Sequence, residues 1–427
     1  MDKHKEVMMG ECSFPSPFLE SLEYTPPARG MWNIVHIGML IPESHQVFIC
    51  AGGCLRGVVL TAAEMGAEDR FSTVSVEEPE TIDGSIEENL VNGVIDVVDR
   101  LPKKPKALLI YSSCIHEFLN VDLDRCYTLL RKKYPVVAFT DCYMTPIMRK
   151  SGITPDEKMR MQLYSLVEKG EKDDGVTFLG DVLPLSRTCG IVREVAKSGR
   201  TYREIPLTKN WDEYQELGRS SVFLYANPAA RKGAEELAKR IGGNLLYLPY
   251  SFDPATIREN GRKLSTLLSV KEEDEREWEA KIADASHLAK GFSVAIDYTA
   301  TARPLSLARL LLSHGFALKR IYLDAFGGEE KEDYEWLKEH GKGIEVIKAS
   351  NPSLPFDRSR EEQENVLAIG QKCAYYEHTS HFVNLIADSG HWGFEALDNL
   401  AAEIVSAVRE KKDTESIVSV KGWGCKV

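Results

Sequence analysis

The chain has 427 residues, 53 basic and 65 acidic side chains, and a formal net charge of −12. Apolar residues make up 43% and charged residues 28%, a globular balance that excludes disordered and fibrous classes and leaves material for roughly two to three domains. The acidic excess argues against a nucleic-acid partner, which needs clustered Lys and Arg, and no apolar run of about 18 residues exists to cross a membrane.

The N-terminal Met1-Asp-Lys-His-Lys leads into a mixed polar segment without an apolar signal core, so a cytoplasmic location is expected. The apolar run Val47–Ile49 ends at Cys50, two glycines follow, and Leu55–Met65 has a helical pattern: strand, turn, helix. Strands are then predicted at Thr73–Glu77, Ala107–Ser112, Val136–Thr140, Val176–Leu179 and Ser221–Ala226. Further strands are predicted at Asn244–Leu248, Ser293–Asp297, Lys319–Asp324, Ile344–Ile347 and Val366–Ile369. Helical stretches lie between them, among them Leu123–Lys133, Pro228–Ile241, Pro254–Leu268 and Pro304–His314. Continuous apolar strands alternating with helices imply α/β architecture with mostly parallel sheets flanked by helices. The charged, Gly-containing Glu168–Gly175 and the end of Lys271–His287, which reads as a solvated helix, suggest boundaries. Three Rossmann-like domains are expected, at 1–170, 171–290 and 291–427, the first carrying the cysteine site and the third a His-rich segment. Functional atoms should gather beyond the carboxyl ends of strands.

Nine cysteines, an odd number in a long chain, read as buried apolar groups, reactive thiols or metal ligands rather than a disulfide framework. Cys50 falls at a helix N-terminus, where the macrodipole favours a thiolate. Cys54 follows four residues later on the same helix face. Gly52 and Gly53 permit close backbone approach, for example to the inorganic sulfide of an iron–sulfur centre. A buried Cys pair under a Gly-rich turn explains the same residues. Cys114, in Leu108-Leu-Ile-Tyr-Ser-Ser-Cys-Ile-His-Glu117, lies just past a strand end, with Ser112 and Ser113 as candidate donors to a cluster sulfur. Cys12 sits in a Pro-rich irregular segment and is either a ligand or incidental. Cys126 and Cys142 read as core, and Cys189 as core or cleft lining.

A second constellation is C-terminal: Cys373-Ala-Tyr-Tyr-Glu377-His378-Thr-Ser-His381, then Asp388-Ser-Gly-His391-Trp-Gly-Phe-Glu395. Gathered imidazoles, thiol and carboxylates suit a metal cofactor or proton supply to a reduced substrate. Hydrogen-bonded histidines in a polar cleft are the plain alternative. No Walker A loop, G-x-G-x-x-G, G-x-S-x-G or H-E-x-x-H occurs, so ATP hydrolysis by this chain itself is not expected.

The layout resembles the component 1 subunits of nitrogenase and nitrogenase-like oxidoreductases. The resemblance rests on His45 ahead of Cys50-Ala51, Cys114 in Ser-Ser-Cys-Ile, Leu246-Tyr-Leu-Pro-Tyr-Ser-Phe-Asp-Pro254, and Gly390-His-Trp-Gly-Phe-Glu-Ala396. It implies an iron–sulfur cluster, 4Fe–4S or larger, held by Cys50, Cys114 and either Cys12 or Cys54. It further implies an identical or homologous component 1 subunit as partner, and a separate ATP-dependent iron-protein reductase as electron donor. A second metallocofactor or substrate would lie near Cys189, Cys373, His378, His381 and His391, with the histidines catalytic and Cys189, Cys373 and His391 binding the cofactor. The family's upstream ligand position falls near Leu22–Tyr24, which holds no Cys, and the family's second-domain cofactor Cys is absent from Phe223–Pro228. A dinitrogen-reducing cofactor site is therefore not expected. An anaerobic setting is. The alternatives are a scaffold for metallocofactor assembly and a metal hydrolase built on the C-terminal histidines.

Overall fold

The computed structural model describes residues 5–19, 32–144, 153–271, 277–351, 353–354, 357 and 365–414. The chain divides into two compact units. Strand β1 (Glu6–Met8) opens the described chain and belongs to the last of three sheets.

One unit comprises Tyr24–Pro184 and Arg200–Tyr247 and contains two parallel sheets. The first has β2 (Ser44–Cys50), β3 (Phe71–Ser75), β4 (Ala107–Ser113) and β5 (Ala138–Met144) in the order β3-β2-β4-β5. Every residue of β2 and β4 is buried, as expected of central strands covered on both faces. One cover is the helix Ile86–Arg100, whose buried Ile86, Leu90, Val94 and Val98 recur every fourth residue and form an apolar stripe. That stripe packs with Val47, Ile49, Leu108 and Ile110 and with Cys126 and Leu130 of the helix Leu123–Lys133. On another part of the sheet Phe48 stacks on Tyr111 at 4.0 Å, and the Tyr111 hydroxyl donates to Ile34 O at 3.2 Å. The helix Pro155–Ser165 starts on a reciprocal cap, in which Thr154 Oγ1 accepts from Glu157 N and the Glu157 carboxylate accepts from Thr154 N.

The second sheet of this unit has β6 (Val176–Leu179), β7 (Tyr202–Glu204), β8 (Val222–Tyr225) and β9 (Asn244–Tyr247), ordered β7-β6-β8-β9. The strand β7 is too short to stand out by composition.

The other unit comprises Met1–Glu23, Leu185–Gly199 and Leu248–Val427. Its sheet has β10 (Ser293–Asp297), β11 (Ala317–Leu323), β12 (Glu345–Lys348), β13 (Val366–Ile369) and β14 (Phe382–Val383) in the order β1-β12-β11-β10-β13-β14. All pairs are parallel except β1 with β12, where Glu6 faces Ile347. The antiparallel N-terminal strand covers an edge that would otherwise stay open. The final helix Phe394–Arg409 buries Leu397, Leu400, Ala401 and Ile404. These join Trp278, Ile282 and Ala285 of the helix Trp278–Leu288 in one apolar core. That second helix is therefore half-buried, where a solvated one was expected, and Lys281 pairs with Asp398 at 3.1 Å. Among the described residues no helix is long and apolar enough to cross a membrane. The α/β architecture and mostly parallel sheets match the expectation.

Candidate functional site

Neighbouring strands β2 and β4 run parallel with Ile49 opposite Ser112. Cys50, the last residue of β2, and Cys114, the first residue after β4, therefore emerge together at the carboxyl end of the sheet. Ala51 turns the chain into the helix Gly52–Glu64, and the N–H of Cys54 donates to Ala51 O at 2.9 Å, so Cys54 occupies the first turn. Cys50 is buried, while Cys54 and Cys114 are half-buried.

The three thiols feel one another. Burial pushes the Cys50 thiol up to about 12, and the charges that Cys54 and Cys114 would carry push in the same direction. Burial and Cys114 likewise raise Cys54. Three thiolates gathered here repel unless a cationic centre compensates them. The helix Gly52–Glu64 has no side-chain cap at Ala51, and a Cβ added at Gly52 or Gly53 would meet nothing within 4 Å. The first-turn N–H groups of a helix favour anionic acceptors. Soft, anionic sulfur beside uncapped N–H groups and open space is a donor set that suits an iron–sulfur centre.

Around Cys114 the turn is set by His116. Its Nδ1 accepts from the Ser113 N–H at 3.2 Å, and its Nε2 is buried without a hydrogen-bond partner. The two serines predicted to face a cluster are engaged internally. The Ser112 hydroxyl donates to Cys142 O at 3.4 Å, and Ser113 Oγ lies 3.2 Å from His116 Nδ1. His45 stands at the opposite end of β2 from Cys50, with Nε2 at 2.8 Å from Ser72 Oγ. Burial and the neighbouring Arg70 lower its pKa to about 4, so it is a neutral structural group. The local signal that marks His116 is the Ser113-x-x-His116 spacing of a reciprocal cap.

Cys12 belongs to the other unit. Burial pushes its thiol up to about 12; its carbonyl accepts from the Tyr334 hydroxyl at 2.6 Å and Lys338 Nζ at 3.1 Å. Cys189 is buried at the start of the helix Gly190–Lys197. Next to it, Gly190 lies against the indole of Trp392, whose Nε1 donates to Leu248 O at 3.0 Å. Cys373 is fully buried in an apolar cluster with Ala295, Tyr322 and Phe382, and its N–H donates to the Asp297 carboxylate at 2.6 Å. Burial raises its thiol far above the ordinary value.

Each C-terminal histidine has its own partner. His378 Nε2 is 2.9 Å from Asp357 O, and His381 Nδ1 is 2.8 Å from Ala407 O. His391 Nδ1 is 2.9 Å from the Asn399 amide and 3.4 Å from Glu395 Oε1. Burial works against the charge of Glu395, but bonds from His391, Thr188 and Asn399 outweigh it and hold the carboxyl below its ordinary value. Among the described residues no group of three or more His, Cys, Asp or Glu is arranged to hold a single metal ion. A polynuclear cluster differs in this respect: its own sulfides separate the irons, so its protein ligands stand further apart than those of one ion.

A model of the family of nitrogenase component 1 type oxidoreductases matches residues 35–409. The chain belongs to that family. The match encloses Cys50, Cys54, Cys114 and the C-terminal histidines and leaves Cys12 outside. A solved structure of nitrogenase Cp1 at pH 6.5 superposes with a TM-score of 0.67 at 16% identity, over 92% of this chain and 94% of that one. Nitrogenase Cp1 at pH 5 gives 0.59 at 13% identity, over 95% and 94%. At such identities the likeness is one of fold. No curated protein sequence matches the chain. Within a family of nitrogenase component 1 type oxidoreductases, thiols at the carboxyl end of a parallel sheet stand where such folds place ligands.

Proposed function

We propose that this chain is a redox subunit that holds an iron–sulfur cluster through Cys50, Cys54 and Cys114. The cluster would accept electrons from an ATP-dependent iron-protein reductase and pass them to a substrate the chain does not identify. The observation that carries the reading is the meeting of three thiols from two strand ends beside an uncapped helix start. A bound cluster supplies one-electron storage. The protein's part is to keep the thiolates together, to exclude water from Cys50, and to offer the N–H groups of Gly52 and Gly53 to the sulfides. Cys54, from the same unit, completes the set more directly than Cys12, which lies outside the family match.

The elements that carry these thiols also expose apolar side chains. Val59 and Leu60 lie on the Cys54 helix, and Phe118 and Leu119 close the Cys114 helix, with Phe118 75% exposed. Exposed apolar groups of this size suit a protein interface, and a second component 1 subunit, identical or homologous, is the proposed occupant. On the substrate side, His391, held by Glu395 and Asn399, is the proposed proton donor. The separate partners of His378 and His381 favour one second reading, an assembly scaffold whose redox centre does no turnover of its own.

Anaerobic purification followed by iron analysis and electron paramagnetic resonance tests the cluster. Brown protein with about four irons per cluster is expected, and colourless, iron-free protein after anaerobic reconstitution would refute it. Substrate-dependent oxidation of an iron-protein reductase separates the enzyme from the scaffold.

A further inference from the structure

We propose that Glu395 and Asn399 fix His391 as a hydrogen-bond donor to a cavity beside the final helix, and that the substrate bound there carries a neutral acceptor on an apolar body. This rests on the reading of His391 as the proton donor and adds its tautomer and the class of molecule it meets.

The imidazole is held from one side. His391 Nδ1 lies 2.9 Å from the Asn399 amide nitrogen and 3.4 Å from Glu395 Oε1. The same amide nitrogen donates to Glu395 Oε1 at 3.0 Å, and the Thr188 hydroxyl donates to that oxygen as well. Glu395 is 4% exposed. Burial works against its charge, but the bonds from His391, Thr188 and Asn399 outweigh it. An ionised carboxylate only accepts, so the nitrogen of the Asn399 amide must face it rather than the oxygen. With that nitrogen placed between carboxylate and ring, one of its hydrogens points to Nδ1, and the neutral imidazole carries its proton on Nε2. In the imidazolium the Nδ1 hydrogen turns to Glu395. Nε2 therefore bears a hydrogen in both forms, and it has no hydrogen-bond partner among the described residues.

His391 and Asn399 both line a cavity of about 620 Å³ within the C-terminal unit, a size that suits a small organic molecule. Phe252, Val383, Leu385 and Leu400 give it an apolar surface. Its charged groups are engaged: Lys412 pairs with Glu403 at 3.5 Å, and Asp388 and Asp413 have partners of their own. What His391 offers the cavity is a donor, and its complement is a carbonyl oxygen, an imine or an aromatic ring nitrogen. Glu395 and Asn399 are positioning residues that act through the ring.

The test is proton–nitrogen correlation NMR of the imidazoles in isotope-labelled, full-length protein at about pH 8, where an ordinary imidazole is neutral. The His391 signals are assigned by their loss in His391→Gln. The unaltered protein should show the Nε2-protonated tautomer. Asn399→Leu removes the donor to Nδ1, leaves Glu395 as its neighbour, and should move the proton to Nδ1. Glu395→Gln removes the charge that orients the amide and should lower the Nε2-protonated share. Acetophenone, a neutral carbonyl on an apolar body, should shift the His391 signals saturably. Ethylbenzene, which lacks the acceptor, should bind about tenfold more weakly or worse, and acetophenone should lose about tenfold in Asn399→Leu. These readouts need no iron, so failure of the cluster reading shows separately as iron-free protein. An Nδ1-protonated His391 in the unaltered protein, an unchanged tautomer in both variants, or no saturable shift with acetophenone would overturn the proposal.

Discussion

Cys50 and Cys114 leave neighbouring parallel strands at the same end, because Ile49 pairs with Ser112 across β2 and β4. Two strands and several helices separate them along the chain. Hydrogen-bond register, not sequence proximity, makes them neighbours, and Cys54 joins them through one helical turn.

Replacement of Cys114 by Ala should remove most of the iron from anaerobically prepared protein while the circular dichroism spectrum stays folded. Cys114 is only half-buried, so its loss leaves little cavity. Cys126, which packs in the apolar cluster of the first sheet, is the control. Cys126→Ala should cost about 1 kcal/mol of stability and leave iron content unchanged. Iron lost from the Cys126 variant and kept in the Cys114 variant would reverse the ligand assignment.

Gly53→Ala separates chain stability from cluster binding. A Cβ at this position meets nothing within 4 Å, and the residue lies in a helix. The metal-free protein should therefore gain about 0.5–1 kcal/mol. If a cluster sits against this turn, the added methyl group crowds it and iron per chain falls. Chemical denaturation and metal analysis on one preparation read both effects, and an unchanged iron content would exclude close approach at Gly53.

His45 makes stability depend on pH. Its pKa is lowered from 6.5 to about 4 in the fold by burial and by Arg70. Between those values the unfolded chain binds a proton that the folded chain does not, so stability falls as pH drops through that interval. The loss should approach about 3 kcal/mol at the acid end. Gln at this position keeps a hydrogen-bonding partner for Ser72 but does not titrate. Urea denaturation at about pH 7 and about pH 5 should show a smaller pH slope for His45→Gln, and equal slopes would remove His45 as the cause.

Glu377 is fully buried beside Arg320 at 3.0 Å and accepts from the Tyr322 hydroxyl at 2.5 Å. Glu377→Ala strips both groups of a partner inside the core and should cost about 3 kcal/mol. A loss below about 1 kcal/mol in a denaturant titration would mean that Glu345, also paired with Arg320, carries the charge alone.

Much of the fold was legible along the chain. The predicted strands Val176–Leu179, Ser293–Asp297 and Val366–Ile369 and the helices Leu123–Lys133 and Pro254–Leu268 appear with the same ends. Local chemistry explains this. Pro254 occupies the first helical position, and Asp253 caps it by accepting from Thr256 N at 2.8 Å. The strands β1 and β7 escaped because three residues carry no period, and their pairing comes from distant partners. The helix Trp278–Leu288 escaped as a core element because its exposed residues outnumber the three that pack, Trp278, Ile282 and Ala285.

Local residue pattern carried the α/β class and the strand–turn–helix that presents Cys50 and Cys54, since both depend on periodicity and glycine positions within short stretches, while motifs scattered from His45 to Ala396 carried the family likeness. Which side chains meet was set by tertiary packing. It brought Cys114 to Cys50 through strand register, held Cys373 inside an apolar cluster, gave His378, His381 and His391 separate partners, and opened a cavity beside the last helix. Such contacts arise from the packing of elements far apart in the chain, and no local pattern encodes the distance between them.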